Sequence, residues 1–342
     1  MPKTRSSLLA RGAELAPGLA LCAAVSALAY GLALLETRLF DRAWLETLVL
    51  AILLGAALRT SWAPPPRFAP GMAFAAKSLL ELAIVLLGLG VSAAALFAAG
   101  PALLGAIVVA VASAIAVSYA VGRGFGLPHK LSILIACGNS ICGNSAIAAA
   151  APVIRAHGDD VAASIAFTAV LGVIVVLTLP FAGHLLHLNA VQYGVFAGLT
   201  VYAVPQVLAA TAPVGPISVQ VGALVKLGRV LMLGPVLFAL AALGGEAKAA
   251  RKPRWRELAP PFILGFLALL ALRATGWVPE PVIALSGAAA NGLTILAMAA
   301  LGLSVDARTV AKAGLRVTFV VLASLLALGA ISLALIYALH LH

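Results

Sequence analysis

Hydrophobic residues fill this chain in long blocks with short polar interruptions. They follow neither the alternation of a half-buried strand nor the single stripe of a surface helix. Eleven blocks stand out, near 16–35, 44–58, 71–91, 101–121, 131–154, 161–186, 191–210, 217–243, 260–275, 281–305 and 317–339. A helix of roughly 20 apolar residues crosses a bilayer. The pattern predicts an all-α polytopic membrane protein with about eleven transmembrane helices.

The fifth and tenth blocks are interrupted. Residues 137–145 read CGNSICGNS, a tetrapeptide written twice around one isoleucine, and Ser286-Gly287 and Asn291-Gly292 punctuate the tenth block. Gly and Asn are poor helix residues, and Ser and Asn side chains compete for backbone hydrogen bonds. On a continuous helix the two CGNS copies would point about 140° apart, at ~100° per residue. A break facing a small cavity accounts for them better, and such breaks mark the sites of secondary transporters. The plain alternative is a closely packed helix with Ser and Asn as interhelical glue.

Composition removes the soluble classes. The 342 residues are 63% hydrophobic and 10% charged, with mean hydropathy +1.13. The net charge of +11 reads as membrane topology rather than as a nucleic-acid surface. With the N-terminus and the loops after spans two, four, six, eight and ten on one side, that side holds fifteen of the 22 Lys and Arg residues. Arg38, Arg42, Arg155 and Arg273 fall on the other. The positive-inside rule then places the N-terminus in the cytoplasm and the C-terminus outside, across a bacterial-type inner membrane. Residues 16–35 are expected as a retained span rather than a cleaved signal peptide.

Eleven spans divide as one plus five plus five: an extra segment over 1–42, a first repeat over 43–187 and a second over 188–342. An odd-numbered repeat must be inverted, and spans five and ten are then its two corresponding interrupted helices. A likeness between LLGLGV at 86–91 and ALGLSV at 300–305 does not fit that register and is read as coincidence.

Charge inside the apolar blocks is scarce and therefore informative. Lys226 and Arg229 share a helix face in span eight and need an anionic partner or a wet cavity. A salt bridge to Glu81 would serve, and so would an anionic substrate. Half-helix N-termini near Asn144, Ser145 and Asn291 would add donors for that anion. The expected substrate-binding residues are Asn139, Ser140, Gly143, Asn144, Ser145, Gln206, Lys226, Arg229, Asn291, Gly292 and Thr294. Glu81 in span three is either a proton- or sodium-coupling group or the counter-ion of Lys77, four residues before it. Cys22, Cys137 and Cys142 lie in apolar runs and read as packing residues, and the six histidines have no metal-ligand spacing. No enzyme, cofactor, metal or nucleic-acid partner is expected; a small anion, the lipid bilayer and a further copy of the chain are.

Ser140 to Ile147 (SICGNSAI), followed by Ala151-Pro152-Val153-Ile154, resembles the signature of the UPF0324 (YeiH-like) membrane proteins. Residues 224–230, 297–306 and 311–314 resemble further segments of that family. The family is named for sulfate export and is similar to the cation:proton antiporter and anion transporter grouping. The resemblance implies inverted five-helix repeats, crossing broken helices and elevator movement. Relatives often carry a His-Asp pair where this chain has Tyr202-Ala203; if that pair relays protons in relatives, this chain either lacks the coupling or uses Glu81. The expectation is an exporter of sulfate or a related sulfonate product. The alternatives are a proton- or sodium-coupled cation antiporter and a membrane sensor or assembly component with no flux.

Overall fold

Ala, Leu, Val and Ile supply side chains that satisfy a helix without polar atoms, and the backbone must then bond within itself. The computed structural model describes residues 3–40, 46–62, 64–90, 93–243, 261–305 and 315–339, and among them there is no strand. In chain order the helices are α1 (Lys3–Phe40), α2 (Thr47–Ser61), α3 (Ala69–Phe74), α4 (Leu80–Leu87), α5 (Ala93–Gly124), α6 (His129–Ser140), α7 (Asn144–Val153) and α8 (Gly158–Leu185). They continue as α9 (Ala190–Thr200), α10 (Val204–Thr211), α11 (Pro216–Leu231), α12 (Leu233–Leu243), α13 (Pro261–Ala274), α14 (Glu280–Ser304) and α15 (Leu315–Ala338). Seven helical stretches among the described residues are long and apolar enough to cross a membrane, and α2 and α13 are shorter apolar helices. The basic loop at 244–260, with Lys248 to Arg256, and Arg308 and Lys312 lie outside the described residues.

The chain forms two compact units, residues 1–91 with 265–307 and residues 92–264 with 308–342. Each draws on both of the consecutive segments 43–187 and 188–342. In the first unit α14 packs on α2 and α4, and α1 packs on α2 and α3. Backbones meet there through glycine: a Cβ on Gly302 would stand 2.3 Å from the carbonyl oxygen of Ile52, and one on Gly71 2.2 Å from that of Leu15. Small residues at such crossings are how membrane helices gain contact.

α14 is one continuous helix, which corrects the expected break at Ser286-Gly287 and Asn291-Gly292. Asn291 and Gly292 are exposed on it, and a Cβ on Gly292 would meet nothing. Ser286 donates to the carbonyl of Leu86 at 2.9 Å, fastening α14 to α4. A helix with room around its Gly and a polar partner for its Ser has no reason to open.

In the second unit two elements turn back on themselves. Lys130, at the start of α6, donates to the carbonyl of Arg155, just beyond α7, at 2.8 Å. A Cβ on Gly138 would press on Ile147, so α6 and α7 lie antiparallel about a tip at residues 141–143. Tyr193, near the start of α9, donates to the carbonyl of Ala210, near the end of α10, at 2.8 Å. That pair folds about a tip at 201–203.

The neighbouring helices require the same reading. Ser218 bonds the Ala190 carbonyl at 2.6 Å, Gly194 packs on Ser218 and Val221, and Gly198 on Gly222 and Val225. α9 and α11 therefore run parallel, as they must when α10 has brought the chain back to its starting end. Along α8, Thr168 faces Gly138 and Gly143, Gly172 faces Gln206, and Gly183 faces Tyr193. The hairpins thus enter from opposite ends of α8 and their tips meet at its middle. The expected pair of crossing broken helices is corrected accordingly: both broken elements are helical hairpins that fold back on themselves, and the second is at 190–211 rather than in span ten.

The candidate site at the hairpin tips

Each tip has a local cause. In the first, the Ile141 N–H bonds the Cys137 carbonyl at 3.1 Å and the Gly143 N–H bonds that of Gly138 at 2.9 Å, closing the end of α6. Gly143 has φ 65° and ψ −125°, a conformation a Cβ strains. In the second, Pro205 occupies the first turn of α10. Its ring has no N–H and blocks any helical continuation from α9. Gln206 reaches back, its Oε1 accepting the Ala203 N–H at 3.1 Å.

α6 and α9 both end at the tips and leave carbonyls without helical partners. α11 supplies the donors. Lys226 donates to Ile141 at 2.5 Å and to Val201 at 2.7 Å, one carbonyl on each hairpin. Arg229 donates through Nε to Ser140 at 3.0 Å and through Nη2 to Asn139 at 2.8 Å. Its Nη1 donates to Gly198 at 3.0 Å and to Leu199. With a longer Nη1 bond to Val201 at 3.5 Å, one planar guanidinium bonds five carbonyls on two hairpins, a task for which its fixed fork is suited. Both cations are almost wholly buried, at 0% and 1% exposure.

The charges do not cancel. Helix C-termini carry about −0.5 charge and N-termini about +0.5. The ends of α6 and α9 therefore offset the starts of α7 and α10, and the two side-chain charges remain. Among the described residues of this unit the only carboxylates are Asp159 and Asp160, in the first turn of α8. Every hydrogen bond from Lys226 and Arg229 goes to a main-chain carbonyl.

Polar groups at the tips also lack partners. Among the described residues, neither side-chain atom of Asn139 is bonded, nor the hydroxyls of Ser140 and Tyr202. All three residues are buried. Buried polar groups are bonded in the great majority of cases, so a cluster of exceptions points to water or a ligand. The main-chain N–H groups of Asn144 and Ser145, which open α7, have no acceptor among the described residues either. The side chain of Asn144 accepts from Thr168.

A cavity of about 510 Å³ approaches this region between α5, α6, α7 and α12. It runs from His129, Lys130 and Arg155 to Ala136 and Cys137, just below the first tip. Tyr119 and the His129 Nδ1 share a hydrogen bond of 2.8 Å at its side.

Of the expected site residues, Asn139, Ser140, Gly143, Asn144, Ser145, Gln206, Lys226 and Arg229 come together here. Asn291, Gly292 and Thr294 belong to the first unit, where Thr294 bonds its own helix at Ala290. Lys77 and Glu81 are also in the first unit, Lys77 exposed and Glu81 half-buried. A π-helical turn over Ala75–Leu79 separates them. It shifts the register that would pair residues four apart, and no ion pair joins them. Val201 and Tyr202 complete the site, and the signal for their break was Pro205. Among the described residues no group of three His, Cys, Asp or Glu side chains is placed to hold a metal ion.

These features define a helical membrane protein whose two opposed helical hairpins are pinned at their tips by buried cations. The chain belongs to the UPF0324 family of membrane proteins. Residues 17–321 match the family described as "Conserved hypothetical protein 698". A UPF0324 membrane protein of Brucella melitensis is 56% identical over 98% of this chain and 94% of its own length. One from Bradyrhizobium diazoefficiens is 51% identical over 97% and 95%, and one from Bacillus cereus 37% over 85% and 84%. No solved structure matches.

Proposed function

We propose that this protein is a secondary transporter of a small anion, bound where the two hairpin tips meet. One observation carries the reading: two buried cations with no carboxylate partner among the described residues lie beside buried amide and hydroxyl groups that have no partner among them either. An anion would supply the missing counter-charge and the missing acceptor. The first turn of α7 and the side chains of Asn139, Ser140 and Tyr202 would supply its remaining bonds. A proton- or sodium-coupled cation antiporter would need an acidic ligand at the tips, and the unit's described carboxylates stand elsewhere.

The hairpins also revise the membrane topology. Nine elements then cross and two enter and return, for eleven in all. Each hairpin reverses the direction of the spans C-terminal to it, so the basic loops keep their side and Arg155 joins them, making sixteen of the 22. The N-terminus is cytoplasmic and the C-terminus outside, in an inner membrane.

The inverted repeat acquires a new register. The first hairpin pairs with the second, α8 with α11 and α12, α2 with α13, α3 and α4 with α14, and α5 with α15. Each pair runs in opposite directions, and the order of elements is circularly permuted. The likeness of 86–91 to 300–305, a coincidence in the five-plus-five register, then falls at the ends of paired spans.

Sulfate or a related sulfonate is the substrate class, with movement outward. Radiolabelled sulfate flux in proteoliposomes, with unlabelled anions as competitors, tests the reading. Saturable flux lost in Lys226→Gln supports it. Absence of flux and of competition by every anion tried would sink it.

A further inference from the structure

Resting on that reading, we infer that Lys226 is the proton-coupling group of the site and that the anion binds together with its ammonium proton. A count of donors carries the assignment. A protonated lysine has three N–H bonds and a neutral amine two. Lys226 uses two, to Ile141 on one hairpin and Val201 on the other. The neutral amine can keep both bridges, so the hairpins stay joined in either state. Only the third proton supplies a donor to an anion, and only with that proton does the side chain carry charge. Arg229 cannot exchange this role, because its guanidinium does not deprotonate in proteins and its bonds tie five carbonyls in place.

The surroundings narrow the choice further. On its own helix Lys226 has Arg229 one turn away. Cys142 at the first tip lies within electrostatic reach of both cations, and Tyr202 at the second within reach of Arg229. Cys137 is on α6. On α9 the titratable residue is Tyr193, bonded to Ala210 at the far end of the hairpin. α10 has none, and on α5 Tyr119 and Arg123 stand in its C-terminal third. None of these is a carboxylate able to carry the proton. An anion beside Arg229 favours a second positive charge on Lys226, and a proton on Lys226 supplies the anion's donor. Each favours the other, which is reciprocal linkage between binding equilibria.

Sulfate is a suitable probe because it does not titrate near neutrality. Its binding to the purified protein is measured calorimetrically from pH 6 to 9 in buffers of differing ionisation enthalpy. The expected result is uptake of about one proton per sulfate at the alkaline end, with affinity falling about tenfold per pH unit there. Lys226→Arg keeps a permanent charge and should bind sulfate without proton uptake. Sulfate binding by the wild-type protein with no proton uptake across this range overturns the coupling role and leaves the anion site standing. No binding of sulfate, nitrate or chloride at any pH overturns the anion site and the inference together.

Discussion

Lys130 and Arg155 are 25 residues apart, yet the Lys130 Nζ reaches the Arg155 carbonyl at 2.8 Å. A straight helix over that distance would separate them by roughly 37 Å. The contact therefore puts both ends of the CGNS segment at one end of the unit, and it decides where each later loop lies.

The hairpins predict a labelling pattern. In a variant with Cys22, Cys137 and Cys142 replaced by Ala, single cysteines at His129 and His157 should react with an impermeant maleimide from the same membrane side. Cysteines at His187 and Val214, beside the second hairpin, should react from the other. Labelling of positions 129 and 157 from opposite sides would restore a crossing helix.

Arg229→Lys should lower the melting temperature in detergent and abolish sulfate flux, although the charge is kept. A single ammonium cannot replace a fork that bonds Ser140, Asn139, Gly198 and Leu199. Leaving buried carbonyls unbonded costs about 1–3 kcal/mol each. An unchanged melting temperature would show that the carbonyls are satisfied in another way.

Asn139→Ala should separate stability from transport. The amide is buried and unbonded, so its removal relieves a desolvation penalty of about 1–3 kcal/mol. The melting temperature should hold or rise while sulfate flux falls at least several-fold. A marked loss of stability with flux intact would make Asn139 a packing residue.

Gly143→Ala should distort the first tip. The new Cβ would sit 3.3 Å from that of Tyr202, at a backbone φ of 65°. Strained backbone of this kind costs about 1–3 kcal/mol. Flux should fall more than stability, because the main-chain N–H groups that open α7 come directly after it; equal flux in the variant would remove those groups from the site.

Much of this protein was determined by its sequence alone. Blocks of apolar residues without charge can be stable only as helices in lipid, so the class follows from backbone hydrogen bonding. The doubled CGNS marked a break because Gly and Asn there disfavour a continuous helix, and Lys226 and Arg229 stood out because charge in apolar surroundings needs a reason. Tertiary structure decided the rest. An apolar block with a central break has the same hydropathy whether it crosses or folds back, and only Lys130 against Arg155 and Tyr193 against Ala210 distinguish the two. Asn291-Gly292 and Tyr202-Ala203 before Pro205 both read as interruptions. Pro205 removes an N–H and must stop α9, whereas Asn291 and Gly292 face open space on α14 and leave its hydrogen bonds intact. The meeting of two half-helix ends around Lys226 and Arg229 joins residues up to 90 positions apart, and no local pattern encodes a contact over that separation.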